Sequence, residues 1–216
     1  MFDPVRPRPV LGVSRLSSDA FVVRLERRHE HVVAGRHIDV GLPGSETRPY
    51  SLYSGEGDPC LEILVRRVER GKVSTQLGVV QKGDLVKVGA PKGRFTLASV
   101  KPGEKLLFLA TGTGVAPFRG FIRTNPGLDY TLVHGVRDAA EDFGAGFTPA
   151  ERRVLCVSGK PSPGTFSGRL TSWLAETDLS KYHRAFLCGN ARMIVEAAFL
   201  LADRGFGDRI HSETYF

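Results

Sequence analysis

Over the first hundred residues the apolar positions come in short runs, several of them alternating with polar ones. FVVRLE (21–26), HIDVGL (37–42), RPYSLYS (48–54), LEILVRRV (61–68) and DLVKVGA (84–90) read as β-strands, because a period of two places every second side chain on one face of a sheet. Gly and Pro interrupt the runs at Pro43-Gly44, Gly55 to Gly57 and Lys82-Gly83-Asp84. Short strands at regular spacing predict an antiparallel barrel or sandwich. The helix-like stretch in this half lies around Ser74 to Val80.

The pattern changes near Lys101-Pro102-Gly103, which reads as a linker. Beyond it, near-continuous apolar runs alternate with helical periodicity. LLFLA (106–110) precedes a helix expected to begin near Ala116, and TLVHGV (131–136), VLCVS (154–158) and AFLC (185–188) are further buried strands. After the last, Met193, Ile194, Ala197, Ala198 and Leu201 fall on one helical face, with Gly205 placed to end the helix. Strands buried on both faces and alternating with helices predict a parallel sheet with helices on either side. The expected architecture is an all-β domain over 1–100, an antiparallel β-barrel, followed by a parallel-sheet α/β domain over 101–216.

Composition adds limits. A hydrophobic fraction of 41% and a charged fraction of 25% are those of a globular chain. No apolar run approaches the ~18–20 residues a membrane helix requires, and MFDPVRPRPV has no apolar core that would make it a secretory signal. Three cysteines, Cys60, Cys156 and Cys188, suit a reducing, cytoplasmic setting and cannot by themselves supply four ligands to a zinc or iron–sulfur site, so no metal is expected. Thirty basic against 23 acidic residues leave a net charge of +7, which reads either as a somewhat basic surface or as attraction to a polyanion or an acidic protein partner. The basic residues are dispersed, without an aromatic-interleaved stripe, so nucleic acid is not expected. Nothing in the sequence demands a dimer, and a monomer is the expectation.

Four segments carry candidate chemistry. Ala110-Thr111-Gly112-Thr113-Gly114-Val115-Ala116-Pro117 follows a buried strand; its glycines allow a tight turn, and the helix that follows offers free amides to a diphosphate. The same segment is also readable as a plain strand-to-helix turn, and it departs from Gly-x-Gly-x-x-Gly. Cys188-Gly189-Asn190 stands at the carboxyl end of another strand, where open α/β sheets bind ligands, though a buried cysteine is often just a small apolar residue. Arg48-Pro49-Tyr50-Ser51 offers a cation, an aromatic plane and a hydroxyl, though taken alone it reads as an exposed arginine beside core tyrosines. Gly71-Lys72-Val73-Ser74-Thr75 opens the one helix of the first half, where Ser74 or Thr75 either caps the helix or the helix start holds a second diphosphate.

Taken together and in this order, with the terminal Glu213-Thr214-Tyr215-Phe216, these motifs resemble the ferredoxin–NADP reductases, of the compact bacterial kind within the plant-type superfamily. The resemblance covers nearly the whole chain. It implies an oxidoreductase whose barrel binds FAD and whose α/β domain binds NADP, with NAD a possible substitute. By this likeness Arg48 neutralises the FAD diphosphate with help from Gly71, Val73, Ser74 and Thr75, and Tyr50 packs on the flavin ring. Ser51 approaches flavin N5, and Leu64, Val65 and Arg66 run along the ribityl and diphosphate portion. Gly112 and Gly114 face the nicotinamide diphosphate, Thr113 and Cys188 border the nicotinamide, and Gly189 and Asn190 complete that edge. Tyr215 stacks over the exposed flavin face as a gate, Phe216 lies near the adenine, and Glu213 offers a proton route with Ser51. Arg137 and Arg169 match positions that read a 2′-phosphate. Glycine at 159 stands where the family commonly has arginine, and the neighbouring Lys160 is the substitute. The implied partner is ferredoxin or flavodoxin; the alternatives are an NAD(P)H-dependent flavin reductase, an oxygenase reductase component, or a non-catalytic subunit that kept the fold.

Overall fold

The computed structural model describes residues 6–215, so Phe216 lies outside the described residues. The chain divides into two units: the residues up to Leu97 together with Ala116–Asn125, and Ala98–Val115 together with the residues from Pro126 onward.

The first unit is built on strands β1 (Arg6–Arg15), β2 (Ala20–Glu26), β3 (His37–Gly41), β4 (Arg48–Ser51), β5 (Cys60–Arg66) and β6 (Leu85–Val88), with helix α1 (Lys72–Leu77) between the last two. The strands form an antiparallel sheet in the order β4-β3-β6-β1-β2-β5, and an isolated bridge between Leu52 and Ile63 joins its two ends. Alternation sets the register. Phe21, Val23 and Leu25 of β2 pair with Val65, Ile63 and Leu61 of β5, and all six are buried in one core with Ile38, Val40, Val86 and Val88. Each such side chain contributes ~1.5–3 kcal/mol on burial. β1 has no counterpart in the periodicity reading, because Pro7 and Pro9 argue against a strand. The fold accommodates them where β1 pairs β6 alone; pairing to β2 begins at Val10.

One boundary differs from expectation. Helix α2 (Ala116–Thr124), read from sequence as part of the second domain, groups with the first unit. Phe118 and Phe121 meet Phe95 with ring centroids 6.0 and 5.7 Å apart. Arg119 reaches Glu62 and the Tyr53 carbonyl, both at 2.6 Å, and Arg123 forks onto Asp58.

The second unit is a parallel sheet of β7 (Leu106–Thr111), β8 (Tyr130–Val136), β9 (Arg153–Val157), β10 (Phe166–Ser167), β11 (Arg184–Asn190) and β12 (Ile210–Tyr215), in the order β10-β9-β8-β7-β11-β12. Helices α3 (Leu170–Glu176) and α4 (Ala191–Ala202) pack on it. Met193, Ile194, Ala197 and Leu201 are buried against Leu107, Leu109, Leu187 and Leu174, and Ala198 is partly buried beside them. Gly205 takes a left-handed φ of 76° just beyond α4, whose C-cap is Asp203. The terminal segment, expected as a returning tail, is a strand as far as Tyr215 and pairs with β11. An antiparallel barrel sheet followed in sequence by a parallel α/β sheet is thus the observed fold class.

Candidate functional site

In the first unit, β4 stands at one end of the sheet, and the chain just beyond it bridges to β5 at the other. Arg48 is exposed, with Nη2 3.1 Å from Glu46 Oε2. Tyr50 is half-buried, and burial pushes its hydroxyl up to about 12 despite the charge of Arg48. Ser51 is buried at the inner end of the strand. On β5, Leu64 and Val65 are buried, and the Arg66 Nε donates to Asp19 at 2.8 Å.

The start of α1 corrects one sequence expectation. Its N-cap is Gly71, with no side-chain cap. The Ser74 hydroxyl turns back instead, accepting from the Val68 amide at 3.1 Å and donating to the Gly71 carbonyl. Ser74 therefore neither caps α1 nor offers a free hydroxyl, whereas Thr75 is exposed. Amides of an uncapped first turn have no intrahelical acceptors and remain open to an anion. A Cβ at 71 would come within 2.7 Å of Ser74 Oγ, so glycine is needed for this closure.

In the second unit the chain leaves β7 toward β8 on one side while β11 lies on the other, which makes the carboxyl ends of β7 and β11 the switch point of the sheet. Thr111, Gly112, Thr113 and Gly114 stand at one of these ends and Cys188, Gly189 and Asn190 at the other. Gly112 has a left-handed φ of 52° and opens a 3-10 turn over Gly112–Val115. The Asn190 amide donates to Thr111 Oγ1 at 2.9 Å, and the Asn190 side chain caps α4 by accepting from Arg192 and Met193. Its carboxamide oxygen is thus occupied by the helix.

Cys188 pairs with Glu213 across β11 and β12, and Asn190 with Tyr215. Burial, together with the Glu213 charge, holds the Cys188 thiol well above its ordinary value, although a hydrogen bond with the Tyr215 side chain works the other way. Cys188, Glu213 and Tyr215 are therefore one local group.

Arg137, Lys160 and Arg169 follow the parallel strands β8, β9 and β10, hence stand beyond the same edge of the sheet, and all three are exposed. Asp138, next to Arg137, is engaged: it accepts from the Ala140 amide at 2.9 Å. Glycine at 159 has a steric cause. A Cβ there would lie 2.3 Å from the Arg137 carbonyl oxygen. Sequence reading missed His134, a fully buried histidine whose Nε2 is 2.9 Å from the Gly112 carbonyl. The signal was present, a lone imidazole inside the apolar run TLVHGV. Among the described residues no helix is long and apolar enough to cross a membrane.

Comparison with known proteins agrees with this layout. The family model of the oxidoreductase FAD-binding domain matches residues 9–97. Ferredoxin–NADP reductase A of Sorangium cellulosum is 28% identical over 203 residues, covering 81% of this chain and 70% of the relative. The reductase subunit of an aromatic O-demethylase from Amycolatopsis is 31% identical, covering 84% of this chain and 60% of the relative. Among solved structures, a ferredoxin NADP+ reductase from Neisseria gonorrhoeae, described with bound FAD and NADP, superposes with a TM-score of 0.86 at 22% identity over 98% of both chains, which shows the shared fold. An Amycolatopsis cytochrome P450 reductase matches with a TM-score of 0.84 at 28% identity, over 97% of this chain and 70% of the other. Residues 9–97 thus belong to the oxidoreductase FAD-binding domain family, and over most of its length the chain is similar to ferredoxin–NADP reductases and to the reductase subunits of oxygenase systems.

Proposed function

We propose that the protein is an FAD-dependent reductase that exchanges hydride with NADP(H) and passes single electrons to an acidic carrier, a ferredoxin or flavodoxin. The observation that carries this reading is the meeting of the Gly112–Gly114 turn with Cys188-Gly189 at the switch point of the parallel sheet. A bound flavin supplies the interconversion of two-electron and one-electron chemistry. The residues of the first unit fit such a group: open amides at the start of α1 and the exposed Arg48 for a diphosphate, and the half-buried Tyr50 for the ring. Arg48 exchanges its exposed contact with Glu46 for the diphosphate at small cost, since surface ion pairs are worth ~0–1 kcal/mol. Gly71, Val73 and Thr75 shape the anion site, and Leu64, Val65 and Arg66 line the extended part of the dinucleotide. Ser51 holds a hydroxyl at the reacting edge of the ring.

In the second unit Gly112, Thr113 and Gly114 receive the nicotinamide dinucleotide, with Gly189 allowing close approach of its backbone. Cys188 stays a neutral thiol, since its ionisation is pushed far up, and borders the nicotinamide as a shape-setting group. Glu213 brings a carboxylate into this cluster, where it can relay a proton. Tyr215, held at the Cys188 thiol, gates access to the nicotinamide position. A 2′-phosphate is a dianion and needs several cations to offset its desolvation. Arg137, Lys160 and Arg169 provide them, which favours NADPH over NADH.

A second reading, the reductase component of an oxygenase, is favoured by the likeness to the O-demethylase reductase subunit, of whose length this chain spans 60%. Coenzyme kinetics in wild type, Arg137→Ala and Arg169→Ala test the proposal. Each substitution is expected to weaken NADPH use by ~1–3 kcal/mol, the value of a charge-assisted hydrogen bond, and to leave NADH use unchanged. Equal losses for both coenzymes would refute the phosphate-reading role. Electron transfer to ferredoxin should slow with salt far more than reduction of a neutral dye; no such difference would favour the oxygenase reading or another carrier.

A further inference from the structure

His134 sits in the middle of β8, fully buried between Val133 and Gly135. A buried imidazole is costly unless its nitrogens are paired. Nε2 lies 2.9 Å from the carbonyl oxygen of Gly112. That oxygen can only accept, so Nε2 carries a proton and donates it. On the other side of the ring, Nδ1 faces Oδ1 of Asp142 at 3.7 Å, too far for a hydrogen bond, and both are buried atoms without a hydrogen-bond partner. Arg153 Nε stands 3.1 Å from Oδ2 of the same carboxylate, and the Phe143 ring closes over the imidazole with centroids 6.1 Å apart. Burial pushes the Asp142 carboxyl up, but His134 and Arg153 outweigh it and hold the group below the usual range.

The carbonyl held by His134 belongs to the residue that opens the turn. In a planar trans peptide unit the C=O and the following N–H point in opposite directions. Tethering the Gly112 oxygen to the imidazole therefore aims the Thr113 amide away from the buried ring, toward the outer side of the turn. Gly112 has a left-handed φ of 52° and, as glycine, no Cβ to restrict its rotation. Its peptide plane needs an external anchor.

We propose that His134 is a positioning residue for the dinucleotide-binding turn, fixing the direction of the Thr113 amide through the Gly112 carbonyl. The proposal rests on the reading that this turn receives the nicotinamide dinucleotide. It extends that site one layer inward, to residues that touch neither cofactor.

The test uses FAD-loaded protein and two substitutions that separate the ring nitrogens. His134→Gln places an amide nitrogen near the Nε2 position and can still donate to Gly112; His134→Asn is too short to do so. NADP+ affinity is measured by titrating the flavin difference spectrum, and flavin reduction is followed at saturating NADPH. His134→Asn is expected to raise the NADP+ Kd by about tenfold, with the flavin spectrum and the saturating reduction rate changed less than about twofold, while His134→Gln stays within about threefold of wild type. Unchanged affinity in a flavin-loaded Asn variant would overturn the proposal, as would equal losses in both variants, which would mark a packing effect. Should the Asn variant not fold, the Gln variant decides: near-wild-type affinity supports the proposal, and a tenfold loss overturns it. Wild-type protein that bound no nicotinamide dinucleotide would refute the underlying reading of the turn itself.

Discussion

A methyl group on Gly114 would lie 2.3 Å from the carbonyl oxygen of Cys188 and 2.6 Å from the Cα of Gly189, so the turns that follow β7 and β11 touch backbone to backbone. Gly189, at a φ of 134°, is tied in the same way, since its own Cβ would fall 2.3 Å from Thr111 Oγ1. Gly114→Ala forces two strand ends apart, and overpacking of this kind costs ~1–3 kcal/mol. A lowered urea midpoint together with weakened nicotinamide binding is the expected result. A variant as stable as wild type would show that this contact gives way easily.

Alkaline stability follows from the buried thiols. Burial pushes Cys156 from 9.0 to about 12, and Cys188 is raised in the same direction. A thiol harder to ionise in the fold than in the unfolded chain stabilises the fold fully below the unfolded value. That contribution is lost as the pH climbs through the folded one. The thiol contribution to the urea midpoint should thus be constant below pH 9 and fall between 9 and about 12, and Cys156→Ala should flatten that fall. An equally steep decline in the variant would mean that Cys156 ionisation is not the cause.

Arg119 anchors α2 with one guanidinium. It meets Glu62 and the Tyr53 carbonyl at 2.6 Å and lies 4.1 Å from the centroid of the Tyr53 ring. Arg119→Met strands a largely buried carboxylate, which costs about 3 kcal/mol for a pair of this type. Adding Glu62→Gln removes the stranded charge and should recover part of the loss. Denaturation of the single and double variants gives the comparison; a double variant worse than the single one would contradict the account.

Much of this was readable from the residues, and the exceptions have physical causes. Period-two alternation located β2, β3, β5 and β6, while continuous apolar runs located β7, β8, β9 and β11. Pro7 and Pro9 concealed β1, because a proline argues against a strand until pairing shows that it faces an open side. His211-Ser212-Glu213-Thr214 concealed β12, an edge strand whose polar side chains are exposed or half-buried. The glycine turn was legible as a motif, but its anchor at His134 depends on a contact across 22 positions of the chain. The membership of α2 in the first unit was likewise illegible, since Arg119 and Arg123 look like any exposed helical cations until Glu62 and Asp58 are brought to them.

Removal of Tyr215 and Phe216 tests the gate. The Tyr215 side chain is hydrogen-bonded with Cys188 at the end of β12, beside the proposed nicotinamide position. The shortened protein should bind nicotinamide dinucleotides more tightly and discriminate less against NADH. Titration of the flavin spectrum with both coenzymes checks this, and unchanged affinities and preference would rule the gate out.

The central claim of the proposed function is that this chain binds FAD and accepts hydride on it from a nicotinamide dinucleotide. Anaerobic stopped-flow mixing of the purified, flavin-loaded protein with NADPH, monitored at the flavin absorbance band, tests it most directly. Rapid bleaching that saturates with NADPH is the predicted result. A protein that retains no FAD after reconstitution, or whose bound flavin neither NADPH nor NADH bleaches, would contradict it.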